Sequence, residues 1–238
     1  MYYSGYESTH RVSLQLAIDE AMLIGAEQGI IGEGLRIWES KRLAVVLGSG
    51  SYWKSELNPT SLHLIPIYRR ISGGCAVVQG PGCLNFSLVL SRTQNRLRSP
   101  CQSYKIILAP LIRELNRIGI DSIVLEGRDL TLRGRKFSGN AQCWRTNFIL
   151  HHGTILYNFD ISMIKQYLSH PPTEPDYRKG RPHDEFLTNL PLDRTELIDV
   201  IQRAWPPVTS SPLPSQILEC AIQLEQTKYN AYGWIFRR

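Results

Sequence analysis

No run of apolar residues in this chain approaches the roughly 20 needed to cross a bilayer. The N-terminal MYYSGYESTHRVSLQL has no charged stretch leading into an apolar one. Neither a membrane anchor nor a secretory signal is therefore expected. Cysteine is sparse and unpatterned: Cys75, Cys83, Cys101, Cys143 and Cys220 are odd in number, widely spaced and form no C-x-x-C pair. Zinc sites and a disulfide scaffold are poorly supported, which points to a reducing, cytoplasmic setting. Like charges never gather in long blocks, and no basic helix alternates with aromatics, so nucleic acid is not an expected partner. The two standard phosphate-binding fingerprints fail as well. There is no G-x-x-x-x-G-K-[ST], and Gly48-Ser49-Gly50 lacks the third glycine of a dinucleotide loop. Internal repeats and low-complexity segments are also missing.

What is present is ordinary in bulk. The 238 residues are 42% hydrophobic and 20% charged, enough to bury a sizeable core. Lys and Arg number 27 against 21 Asp and Glu, a net charge of +6 that favours anionic substrates or acidic partners. Residues 13–28 read as an amphipathic helix, with Leu16, Ala17, Ala21 and Ile24 on one face and Asp19, Glu20 and Glu27 off it. Strands follow at 35–40 and 43–48, joined by Lys41-Arg42, then a loop over 49–61 and a strand over 63–70. Ser99 as N-cap and Pro100 at the first position open a helix to Arg117, with Pro110 expected to kink or break it. Residues 122–142 and 148–160 alternate apolar and polar, with Gly127, Gly134 and Gly153 as turns. A short helix at 161–168, a polar loop over 170–186, and helices at 194–205 and 214–229 complete the pass. Strands gathered in the middle with helices around them argue for an α+β fold with a mostly antiparallel sheet.

Two stretches carry chemistry. YRRISGGCAVVQGPGCLNFSL (68–88) reads as strand, glycine turn, apolar run, second turn, strand. Gly73 and Gly74 let the backbone approach a ligand, and Arg69 and Arg70 stand just upstream with forks suited to phosphate or carboxylate. A β-meander with ordinary turn residues is the plainer account of the same letters. EGRDLTLRGRKFSGNAQ (126–142) sets Arg128, Asp129, Arg133, Arg135 and Lys136 on a hairpin that ends in a Ser-Gly-Asn turn. Solvated charge suits Arg133 and Arg135. Period-2 counting puts Lys136 on the face of Ser138 and Asn140, opposite Phe137. A lysine aimed into an anion pocket holds a phosphate and polarises a carbonyl at once. His151 and His152, adjacent on a strand, face opposite sides and cannot both enter one site. Trp38, Trp53, Trp144 and Trp205 read as core or shielding aromatics.

Together with FILHHGTILYNFD (148–160), these blocks strongly resemble, in this order, the lipoate–protein ligase A family. That family belongs to the biotin/lipoate ligase superfamily, which also includes octanoyltransferases. The similarity extends to SLQLAIDEAML, LRIWES and VVLGSG, to DYRKGRPHDEFLTNL, and to the closing YNAYGWIFRR. It implies a catalytic domain like that of class II aminoacyl-tRNA synthetases and biotin/lipoate ligases, one unit over 1–238 without the small C-terminal accessory domain of many family ligases. The implied reaction uses ATP and Mg²⁺: lipoate attacks the α-phosphorus, and the lipoyl-AMP formed acylates one lysine of a carrier domain. By motif matching, Arg70, Ser72, Gly73, Gly74, Cys75, Ala76 and Val77 line the acyl-adenylate. Lys136 matches the lysine at the activated carbonyl, and Asp129 the acid near the phosphates and Mg²⁺. Ser138, Gly139, Asn140 and Ala141 form the adjacent wall, and His151, His152, Gly153 and Thr154 the next strand. The implied partner is a lipoyl carrier of the 2-oxoacid dehydrogenase E2 or glycine-cleavage H-protein type, with a separate accessory subunit conceivable.

Departures from the family pattern open two rival readings. Cys75 stands at the third glycine of S-G-G-G, Gln79-Gly80 where many ligases have His-Asp, and Arg128 directly precedes Asp129. An octanoyl- or lipoyltransferase would need a cysteine nucleophile, yet the windows 118–132 and 153–208 where related transferases carry it hold none. Cys75 and Cys143 are left as stand-ins, and small structural thiols are the plainer account of both. A non-catalytic carrier-binding module would have little use for Arg70, Asp129 and Lys136. The polar, positive loop 176–183 reads equally as a segment that caps the site or docks the carrier and as a solvated loop.

Overall fold

The computed structural model describes residues 2–206 and 209–238. In it the alternating middle of the chain becomes one large sheet. Strand β1 (Tyr2–Thr9) leads into helix α1 (Val12–Glu27), then β2 (Gly34–Ser40) and β3 (Ala44–Leu47). Two single helical turns, α2 (Trp53–Glu56) and α3 (Ser61–Leu64), precede β4 (Ile67–Arg69), β5 (Val77–Gln79) and β6 (Cys83–Ser91). Helix α4 (Pro100–Arg117) is followed by β7 (Ile123–Glu126), β8 (Asp129–Leu132), β9 (Arg135–Trp144) and β10 (Phe148–Leu156). Then come α5 (Ser162–Tyr167), α6 (His183–Phe186), α7 (Arg194–Ala204), β11 (Thr209–Ser210), α8 (Ser215–Leu224) and α9 (Tyr232–Ile235).

The large sheet has eight strands in the order β11-β1-β2-β6-β10-β9-β8-β7. β1 pairs in parallel with β2 and β11, and the other pairs of this sheet are antiparallel. The fold is thus α+β with a mostly antiparallel sheet flanked by helices. Residues Cys83 to Leu90 of β6 are all buried, because helices cover both faces of the sheet. Leu84, Phe86 and Leu88 pack with Leu108 and Leu111 of α4 and Val200 of α7, while Val89 and Leu150 meet Ala17 and Ala21 of α1. A small sheet of three strands, β4-β3-β5, builds a third core with α5 and α6.

Several local expectations shift. Asp19 and Glu20 are buried, so α1 is not amphipathic in the expected sense: Arg36 answers Asp19, and Lys228 and Tyr229 answer Glu20. The strands expected at 35–40 and 43–48 are present as β2 and β3 and enter different sheets. Residues 49–61 are not plain loop, and the strand expected at 63–70 shrinks to β4 after the helical turn α3. Helix α4 keeps its expected ends, with Ser99 Oγ accepting from Gln102 N at 3.4 Å, and runs unbroken through Pro110. Its packing through Ile107, Leu108, Leu111 and Leu115 outweighs the lost hydrogen bond. Ser138-Gly139-Asn140 and Gly153 are not turns; they lie inside β9 and β10. Gly153 is needed there because a Cβ would overlap Asn140 Oδ1 and the Phe86 ring. The linker residues 207–208 lie outside the described residues.

His151 turns into the core, opposite His152, between the rings of Phe86 and Tyr104. Burial, reinforced by the neighbouring His152, pushes its pKa from 6.5 down to about 3. The unfolded chain therefore binds one more proton than the folded one between those two values, and stability falls as pH drops from 6.5 towards 3. His151→Phe should flatten that acid slope by up to about 1.4 kcal/mol per pH unit. Urea midpoints measured between neutral pH and mild acid check this, and parallel slopes for both proteins would refute it.

Candidate active site

The segment 70–76 joins β4 to β5 and forms one lip of a cavity of about 620 Å³. Gly74 takes φ +91°, a left-handed turn that favours glycine, whereas Gly73 needs no such freedom. Arg70 is buried, and its fork holds the segment together: Nε donates to Ser72 Oγ at 3.0 Å, and the terminal nitrogens to the carbonyls of Val46, Gly73 and Cys75. Burial and the charge of Arg128 pull its pKa down to about 10. Arg69, expected beside it at the anion, is instead fully buried and braces the carbonyls of Gly48, Ser51 and Ile235. Gly48 is pressed against this lip, for a Cβ there would fall 1.8 Å from the Gly74 carbonyl oxygen. Gly48→Ala should therefore displace the lip and cost about 1–3 kcal/mol of stability. Thermal unfolding reads that loss, and an unchanged midpoint would contradict the packing argument.

The opposite wall is β9 and β10. The register shifts between Leu130 and Thr131 of β8: Leu130 faces Ser138 while Thr131 faces Lys136. Phe137 is thus an extra residue, a bulge that re-aims the side chain before it. Lys136 consequently lies over Gly139, whose missing Cβ would sit 3.0 Å from Nζ, and not on the Ser138–Asn140 face that period-2 counting gives. Its ammonium pairs with Asp129 Oδ1 at 2.9 Å. Tyr177 donates its hydroxyl to the other carboxylate oxygen at 2.7 Å, and burial with the adjacent Asp129 pushes the phenol pKa up. Arg128 is exposed at the rim beside Gly74; its carbonyl accepts from Asn140 Nδ2 at 2.8 Å, while its guanidinium makes no hydrogen bond or ion pair among the described residues.

The loop over 170–186 caps the cavity. Although it reads as too polar for the interior, Arg178 and Phe186 are buried, with both Arg178 and Arg181 stacked on the Phe186 ring. Arg181 also donates to the Gly134 carbonyl at 3.1 Å, tying the cap to the β8–β9 hairpin. Below the charged rim the lining turns apolar through Leu16, Val78, Leu156, Ile164, Leu168 and Leu187.

Of the residues expected at the site, Arg70, Gly74, Cys75, Ala76, Val77, Asp129, Lys136, Ser138, Gly139, Asn140, Ala141, His152, Gly153 and Thr154 all line this one cavity. Ser72 and Gly73 are not part of its lining. Arg128, Tyr177, Glu56 and Trp38 line or serve it without having been singled out for it, as does Asp19 of α1. Cys101, exposed near the start of α4, reaches the cavity, whereas Cys143 does not and packs near α1. Among the described residues no group of three or more His, Cys, Asp or Glu could hold a metal. Asp129 alone, with both oxygens engaged by Lys136 and Tyr177, fits only a Mg²⁺ that brings phosphate oxygens with it.

Comparison with known proteins follows from this geometry. Residues 11–201 match the family profile described as "Lipoyl protein ligase A/B catalytic domain". Lipoate–protein ligase 1 of Staphylococcus aureus is 25% identical over 239 residues, covering 95% of this chain and 70% of that protein. A relative from Mycoplasma pneumoniae is 26% identical over 64% of this chain but only 44% of its own length. The octanoyltransferase LipM of Oceanobacillus iheyensis is 24% identical over 91% of this chain and 86% of its own. Among solved structures, a lipoate-protein ligase A bound with ATP superposes with a TM-score of 0.83 at 20% identity, over 99% of this chain and 97% of that one. The bi-partite lipoate protein ligase of Thermoplasma acidophilum, described with its E2 lipoyl domain, gives 0.82 at 19%, again over 99% and 97%. These two likenesses concern the fold.

Proposed function

We propose, starting from the fact that this chain belongs to the lipoyl protein ligase A/B catalytic-domain family, that it acts as a lipoate–protein ligase. Lipoate and ATP give lipoyl-AMP and pyrophosphate. The ε-amine of a carrier lysine, on a domain of E2 or H-protein type, then attacks the anhydride carbonyl. The C–N bond forms, the C–O bond to phosphate breaks, AMP leaves with that electron pair, and the amine proton passes to water. The observation that carries this reading is the convergence of Lys136, Arg128 and the Arg70 lip on one cavity that also has a group of apolar side chains in its lining, Leu16, Val78, Leu156, Ile164, Leu168 and Leu187.

Carboxylate attack on phosphorus brings two anions together, so fixed positive charge at the rim supplies what the transition state needs. Lys136 serves the α-phosphate and activated carbonyl, and Arg128 the phosphates at the mouth. Mg²⁺, when bound with the nucleotide, would neutralise phosphate charge, with Asp129 as its one protein ligand. The apolar end accepts the acyl chain. Relatives named as lipoate–protein ligases support this reading.

The test is incubation with ATP, Mg²⁺, lipoate and an apo carrier domain, reading carrier mass. A gain of one lipoyl group that depends on ATP is expected. A gain only from an octanoyl-carrier donor, without ATP, would overturn it. That transferase reading has one observation in its favour beyond the LipM similarity: Cys75 and Cys101 both reach the cavity. As a ligase, the protein should keep its ATP-dependent activity in Cys75→Ser and Cys101→Ser. An octanoyl thioester trapped on either thiol, seen by intact-protein mass spectrometry, decides for the transferase instead.

A further inference from the structure

A chain of polar side chains runs from α1 to the 70–76 lip along the cavity, with Asp19, Ser87, His152 and Arg70 in its lining. Asp19, buried on α1, receives the Arg36 guanidinium at 2.7 Å on Oδ1 and the Ser87 hydroxyl at 2.8 Å on Oδ2. His152 Nδ1 lies 3.1 Å from that same Oδ2. On the other side of the ring, Nε2 is 2.5 Å from Ser72 Oγ, which also accepts from Arg70 Nε at 3.0 Å.

With a singly protonated His152 ring, the directions of these bonds follow from the partners. A carboxylate only accepts, so His152 Nδ1 carries its proton towards Asp19. Arg70 only donates, so the Ser72 hydroxyl hydrogen is left free to point at Nε2. The order is therefore Arg70 to Ser72 to His152 to Asp19, each donating to the next. Burial alone would raise the Asp19 pKa, but the His152 bond and the Arg36 charge outweigh it and hold it below the ordinary carboxylate value. The acceptor at the end of the chain is thus kept charged. Ser72 is 1% exposed and does not line the cavity, so it is not a nucleophile; the constellation orients rather than attacks.

We propose that Asp19 is a positioning residue: by fixing the Nδ1–H tautomer of His152 it orients Ser72 and Arg70, and so sets the lip over residues 70–76 that contacts the acyl-adenylate. The hydrogen bonds from Asp19 to that lip run through two side chains, His152 and Ser72. With Asn at position 19 the amide offers either an oxygen or a donor to Nδ1. In the donor orientation the ring proton moves to Nε2, Ser72 loses its acceptor, and the lip loses its anchor.

This inference rests on the ligase reading only for its kinetic arm, and its first measurement is independent of activity. In ¹⁵N-histidine-labelled protein, long-range ¹H–¹⁵N spectra should show His152, assigned by its loss in His152→Gln, as the neutral Nδ1–H form. A ring in the Nε2–H form, or one doubly protonated at neutral pH, would overturn the proposal. In Asp19→Asn the His152 signals should switch to the Nε2–H pattern, and kcat for lipoyl-AMP formation should fall by about 10²-fold, as a misplaced active-site wall does. Because Asp19→Asn also leaves Arg36 without its buried partner, Ser72→Ala is the companion variant. It leaves Asp19 and Arg36 untouched and should lower kcat with the Nδ1–H pattern preserved. Full activity in Ser72→Ala would sink the proposal. If the parent protein forms no lipoyl-AMP at all, the ligase reading fails while the tautomer measurement still judges this one.

Discussion

Lys136→Ala should lower ATP-dependent lipoyl-AMP formation by about 10²–10³-fold, the cost of removing one preorganised donor from a developing charge. Three observations make Lys136 the place to expect so large an effect. Its side chain is mostly buried yet lines the cavity, it is aimed inward by the bulge at Phe137, and its protein partner is Asp129. On the ligase reading, a phosphate or activated carboxyl would exchange with Asp129 as the anionic partner of the ammonium, with little reorganisation on binding. Lys136→Arg should restore little, because the guanidinium is planar and wider than the space above Gly139, where 3.0 Å separates the amine from the missing Cβ. Pyrophosphate exchange dependent on lipoate measures the effect, and a loss below tenfold would mean that the charge at this position is not used in the first step. Unchanged thermal unfolding in Lys136→Ala separates that result from a folding defect.

How much of this was legible in the letters depended on which elements obey a local rule. Ser99-Pro100 announced the start of α4 correctly because capping and a fixed proline φ act within one turn. The β character from 122 to 156 was readable, as was the division of His151 from His152 across one strand, but the turns expected at Ser138–Asn140 and Gly153 fall inside β9 and β10. The facing of Lys136 was not. A bulge is a property of two strands in register, and nothing within RKFSGN marks Phe137 as the extra residue. Arg69 and Arg70 were indistinguishable as neighbours, yet the pairing of β4 with β3 sends one into structural carbonyls and the other to the cavity lip. Asp19 was misread because helical periodicity treats a carboxylate as solvent-facing. Only the β2 arginine and the β10 histidine, both far away in sequence, make its burial tolerable. The polar loop over 170–186 was legible as a cap, but not that Arg178 within it is buried against the Phe186 ring.

Arg36→Ala should cost about 3–5 kcal/mol, the largest single loss of stability expected in the molecule, because it leaves a buried carboxylate without its charge partner. Arg36 and Asp19 are 2% and 3% exposed at the side chain, so water cannot replace the guanidinium. The remaining bonds to Asp19, from Ser87 and His152, carry no permanent charge when the imidazole is neutral. Without the guanidinium, Asp19 loses one of the causes that hold its pKa down, so it takes up a proton more readily in the folded state. The variant therefore gains stability relative to the parent as pH falls. Urea denaturation at neutral and mildly acidic pH reads the size and the sign together. A loss of under 1 kcal/mol at neutral pH would show that the pair is replaceable by its neighbours. A difference that does not narrow towards acid would show that Asp19 takes up no compensating proton. The double variant Asp19→Ala/Arg36→Ala should recover part of the loss, because removing both charges ends the desolvation penalty that removing one exposes.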